Sequence, residues 1–264
     1  MLFDGRVFAS ELEERVKSRI QGKQKRGKVV SVLVGNDPAS ELYTRLKAKA
    51  AERVGITFEV VRIEGGGEVQ KLRTRIVQIG AIDEVKGVMV QMPIPGMTRA
   101  EMREVVTAIP LSKDVDGLRW EESGRMPATV RAIFSILDKI KDDTRADIDN
   151  KRYVVVGSHG SVGRPLVHFL KKRGVSEIRE VNSQTEGKEQ ILKRGEVVIS
   201  CVGKEGVVTG EMVSEGIIAI DVGSPKGDMT QEVYQKAAVA VPVPGGVGPV
   251  TVASLMENAS LVIE

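Results

Sequence analysis

The sequence predicts an α/β protein of two domains, each organised on a mostly parallel sheet. Three observations carry this expectation. The chain has 264 residues, room for roughly two domains of ordinary size. Strand-like and helix-like periodicities alternate twice, first over residues 28–108 and again over 152–222, and such alternation implies parallel strands joined by helical crossovers. Between the two runs, residues 109–127 carry two prolines, two glycines and mixed charge with no period of their own, so they read as loop and as the crossing between domains.

The elements follow in chain order. A helix is expected over 9–21 and a strand over 28–35. A second helix opens at Asp37-Pro38-Ala39-Ser40 and ends near Gly55, because aspartate caps a helix, proline suits its first turn and glycine its end. A strand (57–64), a helix (68–79), a buried strand (87–90) and a helix (99–108) complete the first alternation. After a helix near 130–141, the second alternation runs strand 152–157, helix 162–173, strand 177–181, helix 185–194, strand 197–202 and strand 217–222. Residues 239–241 add a strand, and Thr251 is expected to cap a closing helix reaching about 262.

Composition removes several functional classes. Thirty-nine basic against 36 acidic residues leave a formal charge of +3, too even for a polyanion-binding surface. Nine aromatic residues are few for a base-stacking platform, so no nucleic-acid partner is expected. No apolar run approaches a membrane span, and Asp4 and Arg6 interrupt the start of the chain; a cytoplasmic protein with no membrane partner is expected. Cys201, His159 and His168 are the whole Cys/His complement, which permits neither an internal disulfide nor a zinc site, and no metal is expected.

Four segments can carry chemistry. In Tyr153-Val154-Val155-Val156-Gly157-Ser158-His159-Gly160-Ser161-Val162-Gly163 a hydrophobic strand runs into a turn with glycines at i, i+3 and i+6 and then into a helix. Glycines admit a pyrophosphate close to the backbone, and the helix start attracts its charge; the alternative is a tight turn that binds nothing. Asn182 and Ser183 stand at the tip of the following strand, where an NAD site usually places an acid on the ribose; this pair tolerates a 2′-phosphate better. Tyr43 and Lys47, four apart, share one helix face and flank an arc of Leu42, Leu46, Ala50 and Val54. A lysine beside an apolar stripe can lose solvent and become a usable base, although Lys49 and Arg53 lie near the same arc. Gln91 ends a buried strand, where α/β ligand sites gather; the alternative is a glutamine that only satisfies loop backbone. Asp114 and Asp116 offer two carboxyl groups in the crossing loop, for a planar heterocycle or only for capping backbone amides. The run Pro242-Val243-Pro244-Gly245-Gly246-Val247-Gly248-Pro249 can lie flat against a planar ligand, or merely turn the chain into its last helix.

Together, Asp37-Pro38-Ala39-Ser40 with Tyr43 and Lys47, Val90-Gln91-Met92-Pro93-Ile94-Pro95, Lys113-Asp114-Val115-Asp116-Gly117 and the 242–249 run resemble the signatures of the bifunctional methylenetetrahydrofolate dehydrogenase/methenyltetrahydrofolate cyclohydrolases, in order and spacing and over nearly the whole chain. The resemblance implies a catalytic, folate-binding α/β domain (1–117 with 246–264) and a Rossmann-like NAD(P)-binding domain (118–245). It also implies that the C-terminal helix returns to the first domain, with folate between the domains and a homodimer formed through the second. It implies NADP, with NAD as the alternative, and tetrahydrofolate derivatives as substrates in one-carbon metabolism. Lys47 would be the catalytic lysine and Gln91 would hold its pKa down. Tyr43 would stack on the aminobenzoyl ring and Asp116 would grip the pterin. Pro244 and Gly245 would border folate; Gly157, Ser158, His159, Val162, Gly163, Ser183 and Gly246 would meet the cofactor.

The chain departs from that pattern in places. Gly157-Ser158-His159 stands where the family commonly has Gly-Arg-Ser, leaving Ser183, with His159 or Arg164, to meet a 2′-phosphate. Residues 117–127 form a shorter segment than usual, Ala128-Thr129-Val130 replaces Cys-Thr-Pro, and Val241 replaces a threonine. Two other readings are a dehydrogenase without the hydrolytic step, which the pairing of Lys47 with Gln91 argues against, and a dinucleotide-binding sensor, which needs no such pair.

Overall fold

The computed structural model describes residues 1–22, 27–65 and 68–263. Its contacts divide the chain into two compact units, Ser10–Ala128 with Val252–Glu264 and Met1–Ala9 with Thr129–Thr251. These limits differ from the expected 117/118 and 245/246.

The first unit takes up most of α1 (Gly5–Ile20) and contains β1 (Lys28–Val34), α2 (Pro38–Val54), β2 (Phe58–Ile63), α3 (Val69–Ala81), β3 (Val85–Val90), α4 (Arg99–Val106) and α5 (Trp120–Ser123). Its three strands are parallel, in the order β2-β1-β3. Central β1 is apolar almost throughout because both of its faces are covered. Val30, Val32 and Val34 pack with Leu72, Ile76 and Ile79 of α3 and Val105 of α4. Val29 packs with Ala50, Ala51 and Val54 of α2. The expected loop at 109–127 contains a 3-10 turn (Leu111–Lys113) and the four-residue α5, both too short to show a period in the sequence.

The second unit contains α6 (Ala128–Thr144), β4 (Tyr153–Val156), α7 (Gly163–Arg173), β5 (Ile178–Val181), α8 (Lys188–Arg194), β6 (Val197–Ser200), β7 (Ile218–Asp221), α9 (Gln231–Lys236) and β8 (Val239–Val241). All five strands are parallel, in the order β5-β4-β6-β7-β8. The direction of winding therefore reverses between β4 and β6, the switch point of a Rossmann-like sheet. The first residues of the chain complete its far edge: Phe3 N–H donates to Ala240 (2.8 Å) and Ala240 N–H to Met1 (2.9 Å). That pairing is why residues 1–9 belong with this sheet, and no periodicity announces it.

The last helix, α10 (Val247–Ser260), begins four residues before Thr251. Thr251 is thus not its cap but an interior residue, and its hydroxyl donates back to the Val247 carbonyl (3.1 Å). Proline at the third helical position explains the early start, because first-turn N–H groups lack intrahelical partners anyway. From Val252 onward the helix belongs to the first unit, where Val252, Leu255, Met256 and Ala259 join the core formed by Val29 and α2. Among the described residues no helix is long and apolar enough to cross a membrane.

Candidate active site

In the first unit the chemistry rests on α2. The Asp37 side chain accepts the Ser40 N–H (2.8 Å), and Gly55 closes the helix at φ 79°, so its start and end are both fixed by local sequence. The buried face differs from the expected arc. Leu42 and Leu46 are 48% and 43% exposed, while Ser40, Thr44, Lys47, Ala50, Ala51 and Val54 are buried. Two leucines outside and a lysine inside invert the hydropathy order, and Lys47 lies within the buried stripe rather than at its margin. Its neighbours are also separated: Lys49 is exposed, and Arg53 forms a two-pronged pair with Glu13 (2.6 Å for both bonds).

Lys47 Nζ donates to Gln91 Oε1 (2.9 Å) and stands 3.9 Å from Asp116 Oδ2. Gln91 is fixed at the end of β3 by its own N–H, which donates to Val32 (2.8 Å), and by Nε2, which donates to the Met92 carbonyl (3.1 Å). Burial holds the Lys47 amine below its ordinary value of 10.5, against the opposing pull of the Asp116 charge. Tyr43, one turn earlier on α2, is half-buried. The Thr44 hydroxyl is buried without a protein partner, so polar capacity is left on the Lys47 face.

The two loop aspartates have separate tasks. Asp114 is wholly buried and accepts the N–H groups of Leu118 (3.1 Å) and Arg119 (2.8 Å). Burial raises its pKa despite those bonds. It is the turn-former, which leaves Asp116 to Lys47. Gly117 follows at φ 69°, and a Cβ there would come within 2.7 Å of Pro127 Cα; only glycine lets the chain turn sharply enough to deliver Asp116.

In the second unit the glycine turn stands at the switch point. A Cβ on Gly157 would approach Cys201 O to 2.8 Å, and one on Gly163 would reach Gly157 O at 2.2 Å, so strand, turn and helix are in backbone contact. Ser158 is buried with its hydroxyl unpartnered, a polar atom turned away from water with nothing in the protein to bond. That fits a ligand-binding turn better than a closed structural one. Val162 is half-buried, and His159, Arg164 and Ser183 are exposed. The Asn182 side chain is occupied, accepting the Gln184 N–H (2.8 Å). Burial pushes the Cys201 thiol up to about 12, which disfavours its thiolate. Pro244 is exposed, and Gly245 at φ 97° leads to the buried Gly246. Gly246 O would lie 2.0 Å from any Cβ on Gly5, which clamps this loop against the start of the chain.

Sequence reading missed Asp221 and Asp228. Both are wholly buried at the carboxyl edge of the second sheet and hold its loops through four hydrogen bonds each. The sole signal available was an acid at the end of an apolar strand.

The second unit has the layout of a dinucleotide-binding α/β domain, with its glycine turn at the switch point of a parallel sheet, and the first carries the buried Lys47–Gln91 pair beside a smaller parallel sheet. Family models make the assignment definite. Residues 3–116 match the catalytic domain of tetrahydrofolate dehydrogenase/cyclohydrolase, and residues 127–264 match its NAD(P)-binding domain. The chain belongs to the tetrahydrofolate dehydrogenase/cyclohydrolase family. It is 34% identical to the bifunctional protein FolD of Methanoculleus marisnigri, covering 98% of this chain and 94% of the relative. Among solved structures, the bifunctional FolD of Campylobacter jejuni superposes with a TM-score of 0.88 at 28% identity, over 100% of this chain and 98% of that one. The Trypanosoma brucei enzyme, complexed with NADP cofactor and inhibitor, gives 0.86 at 26% identity, over 100% and 96%.

Proposed function

We propose that this protein oxidises 5,10-methylenetetrahydrofolate with NADP and hydrolyses the resulting 5,10-methenyl compound to 10-formyltetrahydrofolate. The observation that carries the hydrolytic half is the buried Lys47–Gln91 bond of 2.9 Å on an amine that burial keeps below the ordinary lysine range. Water adds to the methenyl carbon and the neutral Lys47 amine takes its proton. As the bond from that carbon to N5 then breaks, N5 takes a proton back from the Lys47 ammonium and the new hydroxyl releases its own, leaving the formyl group on N10. Gln91 aims the amine. Asp116, 3.9 Å away, balances the ammonium once formed and is free to take N–H groups of the pterin, while Tyr43 offers its ring to the aminobenzoyl group.

For the first step the nicotinamide, when bound, supplies the hydride acceptor. The chain's share is to hold it. The unpartnered Ser158 hydroxyl, the Gly157 and Gly163 backbone and Val162 support the diphosphate turn, and Gly246 borders the ring. NADP rather than NAD is supported by the absence of an acid at Asn182-Ser183 and by the exposure of Ser183 and His159, which leaves two polar side chains for a 2′-phosphate. A cytoplasmic homodimer joined through the second unit agrees with the resemblance and with β5 lying at the edge of its sheet.

One assay tests the reading. Methylenetetrahydrofolate is supplied with NADP or NAD in parallel, and reduced-nicotinamide and methenyl absorbance are followed together. The expected result is reduction with NADP exceeding that with NAD, with methenyl absorbance rising and then decaying. Persistent methenyl absorbance would remove the hydrolytic step; preference for NAD would remove the phosphate contacts.

A further inference from the structure

Hydrogen bonds at the carboxyl edge of the second sheet converge on two buried aspartates that the reaction described above does not use. Asp228 accepts the Ser200 hydroxyl (2.8 Å) and the N–H groups of Val202 (2.7 Å), Gly203 (3.0 Å) and Lys204 (2.9 Å). Asp221 accepts the N–H groups of Gly223 (2.8 Å), Asp228 (3.0 Å) and Met229 (2.8 Å) and the Tyr234 hydroxyl (2.6 Å). Tyr234 Oη in turn accepts the Val243 N–H (3.4 Å). Two carboxyl groups thus tie together the loops after β6, β7 and β8.

The node has no slack. A Cβ on Gly223 would lie 2.8 Å from Asp228 Oδ1, and one on Gly227 would lie 2.7 Å from Asp221 Oδ2. Yet the segment it holds is open to solvent: Val202, Gly203 and Lys204 are exposed. An exposed strip whose three successive amides are all bound by one buried side chain is held in a single conformation ahead of any ligand, which reduces the ordering cost of binding. Its location says which ligand. Cys201 N–H donates to Val156 (2.9 Å), so the strip begins beside the glycine turn, on the β6 side of the switch point where a dinucleotide lies. With their N–H groups spent on Asp228, residues 202–204 offer carbonyl oxygens and the Val202 side chain. That surface suits the hydroxyls and ring of a nucleoside, whereas the phosphates fall to the 157–163 turn.

We propose that Asp228, supported from behind by Asp221 and Tyr234, is a positioning residue for the dinucleotide: it shapes the 202–204 strip without touching the ligand. This rests on the reading of the second unit as the nicotinamide-binding one. It predicts a split between the two activities, since hydrolysis of supplied methenyltetrahydrofolate needs no nucleotide.

The test titrates NADP and NAD into the intact wild type, Asp228→Asn, Ser200→Ala and Tyr234→Phe, and measures methenyl hydrolysis without nucleotide on each. An amide at 228 turns an NH2 group toward N–H donors, so the Kd for NADP is expected to rise about tenfold or more while hydrolysis stays within about twofold. Ser200→Ala removes a bond to the same carboxyl without touching the strip and should leave the Kd within about twofold. Should Asp228→Asn fail to fold, Tyr234→Phe decides: it removes one of the two bonds to Asp221 Oδ2, leaving that of the Met229 N–H, and frees the Val243 amide, and NADP binding should weaken with hydrolysis unchanged. An unaltered Kd in the folded variant, parallel loss of both activities, a Ser200→Ala effect as large as that of Asp228→Asn, or no nucleotide binding by the wild type would each overturn the proposal. Absence of methenyl hydrolysis in a wild type that binds NADP would instead refute the proposed activity and leave the titration to judge Asp228.

Discussion

Lys47 shows how one residue acquires a chemistry that its free side chain lacks. Taken out of water, the amine favours its neutral form, and the Asp116 charge partly reverses that preference. The sign of this balance can be tested. The rate of methenyl hydrolysis in the wild type should rise with pH along a limb lying below 10.5, the ordinary lysine value. Asp116→Asn deletes the charge that raises the amine's pKa, so its limb should move to still lower pH, with a higher KM for the folate because the proposed pterin contact is lost. A limb moving toward alkaline pH would mean that Asp116 is not the amine's electrostatic partner. At this scale the family resemblance singled out Lys47, Gln91 and Asp116, which helical spacing alone did not, and the structure brings these three together. Hydropathy could not tell that Ser40, Thr44 and Lys47 turn inward while Leu42 and Leu46 turn out, because a buried polar pocket reads the same as a solvated face. Asp221 and Asp228 were illegible for another reason: their partners are backbone amides from distant loops, which leave no pattern of residue types.

The parallel strands were the most legible elements. Apolar runs bounded by glycine or polar residues located all eight strands found among the described residues, with ends shifting by no more than two residues. Helix limits were read less well where a cap competes with turn chemistry. Thr185 resembles a helix start, yet its hydroxyl accepts the Asn182 N–H (2.9 Å), so α8 begins only at Lys188. The six-residue α9 is too short to display a period. The closing helix illustrates what packing adds: α10 carries few charges and is held by the contacts of Val252, Leu255, Met256 and Ala259 with the first unit's core. Leu255→Ala, at a fully buried site, should cost about 2–5 kcal/mol in urea unfolding. Leu42→Ala on the exposed face of α2 should change stability by no more than about 0.5 kcal/mol. Equal effects would show that α10 does not dock as described.

For the molecule as a whole, each unit builds its own parallel sheet: one sets the buried Lys47 amine of α2 against Gln91 at the end of β3, and the other, which matches the family's NAD(P)-binding domain, carries the glycine turn after β4. Near-neutral overall charge agrees with small-molecule substrates rather than polyanions. The chain enters the second sheet with its first residues and leaves through the core of the first, so the units are not consecutive stretches of sequence. That interleaving escapes local periodicity, which sees neighbours along the chain and not across it. The division of labour makes the two activities separable by a single substitution. In Lys47→Met the amine is removed while an unbranched side chain still fills the buried space. Methenyltetrahydrofolate hydrolysis should fall about 100- to 10,000-fold, with the Kd for NADP unchanged. Hydrolysis at the wild-type rate in that variant would contradict the assignment of Lys47 as the base.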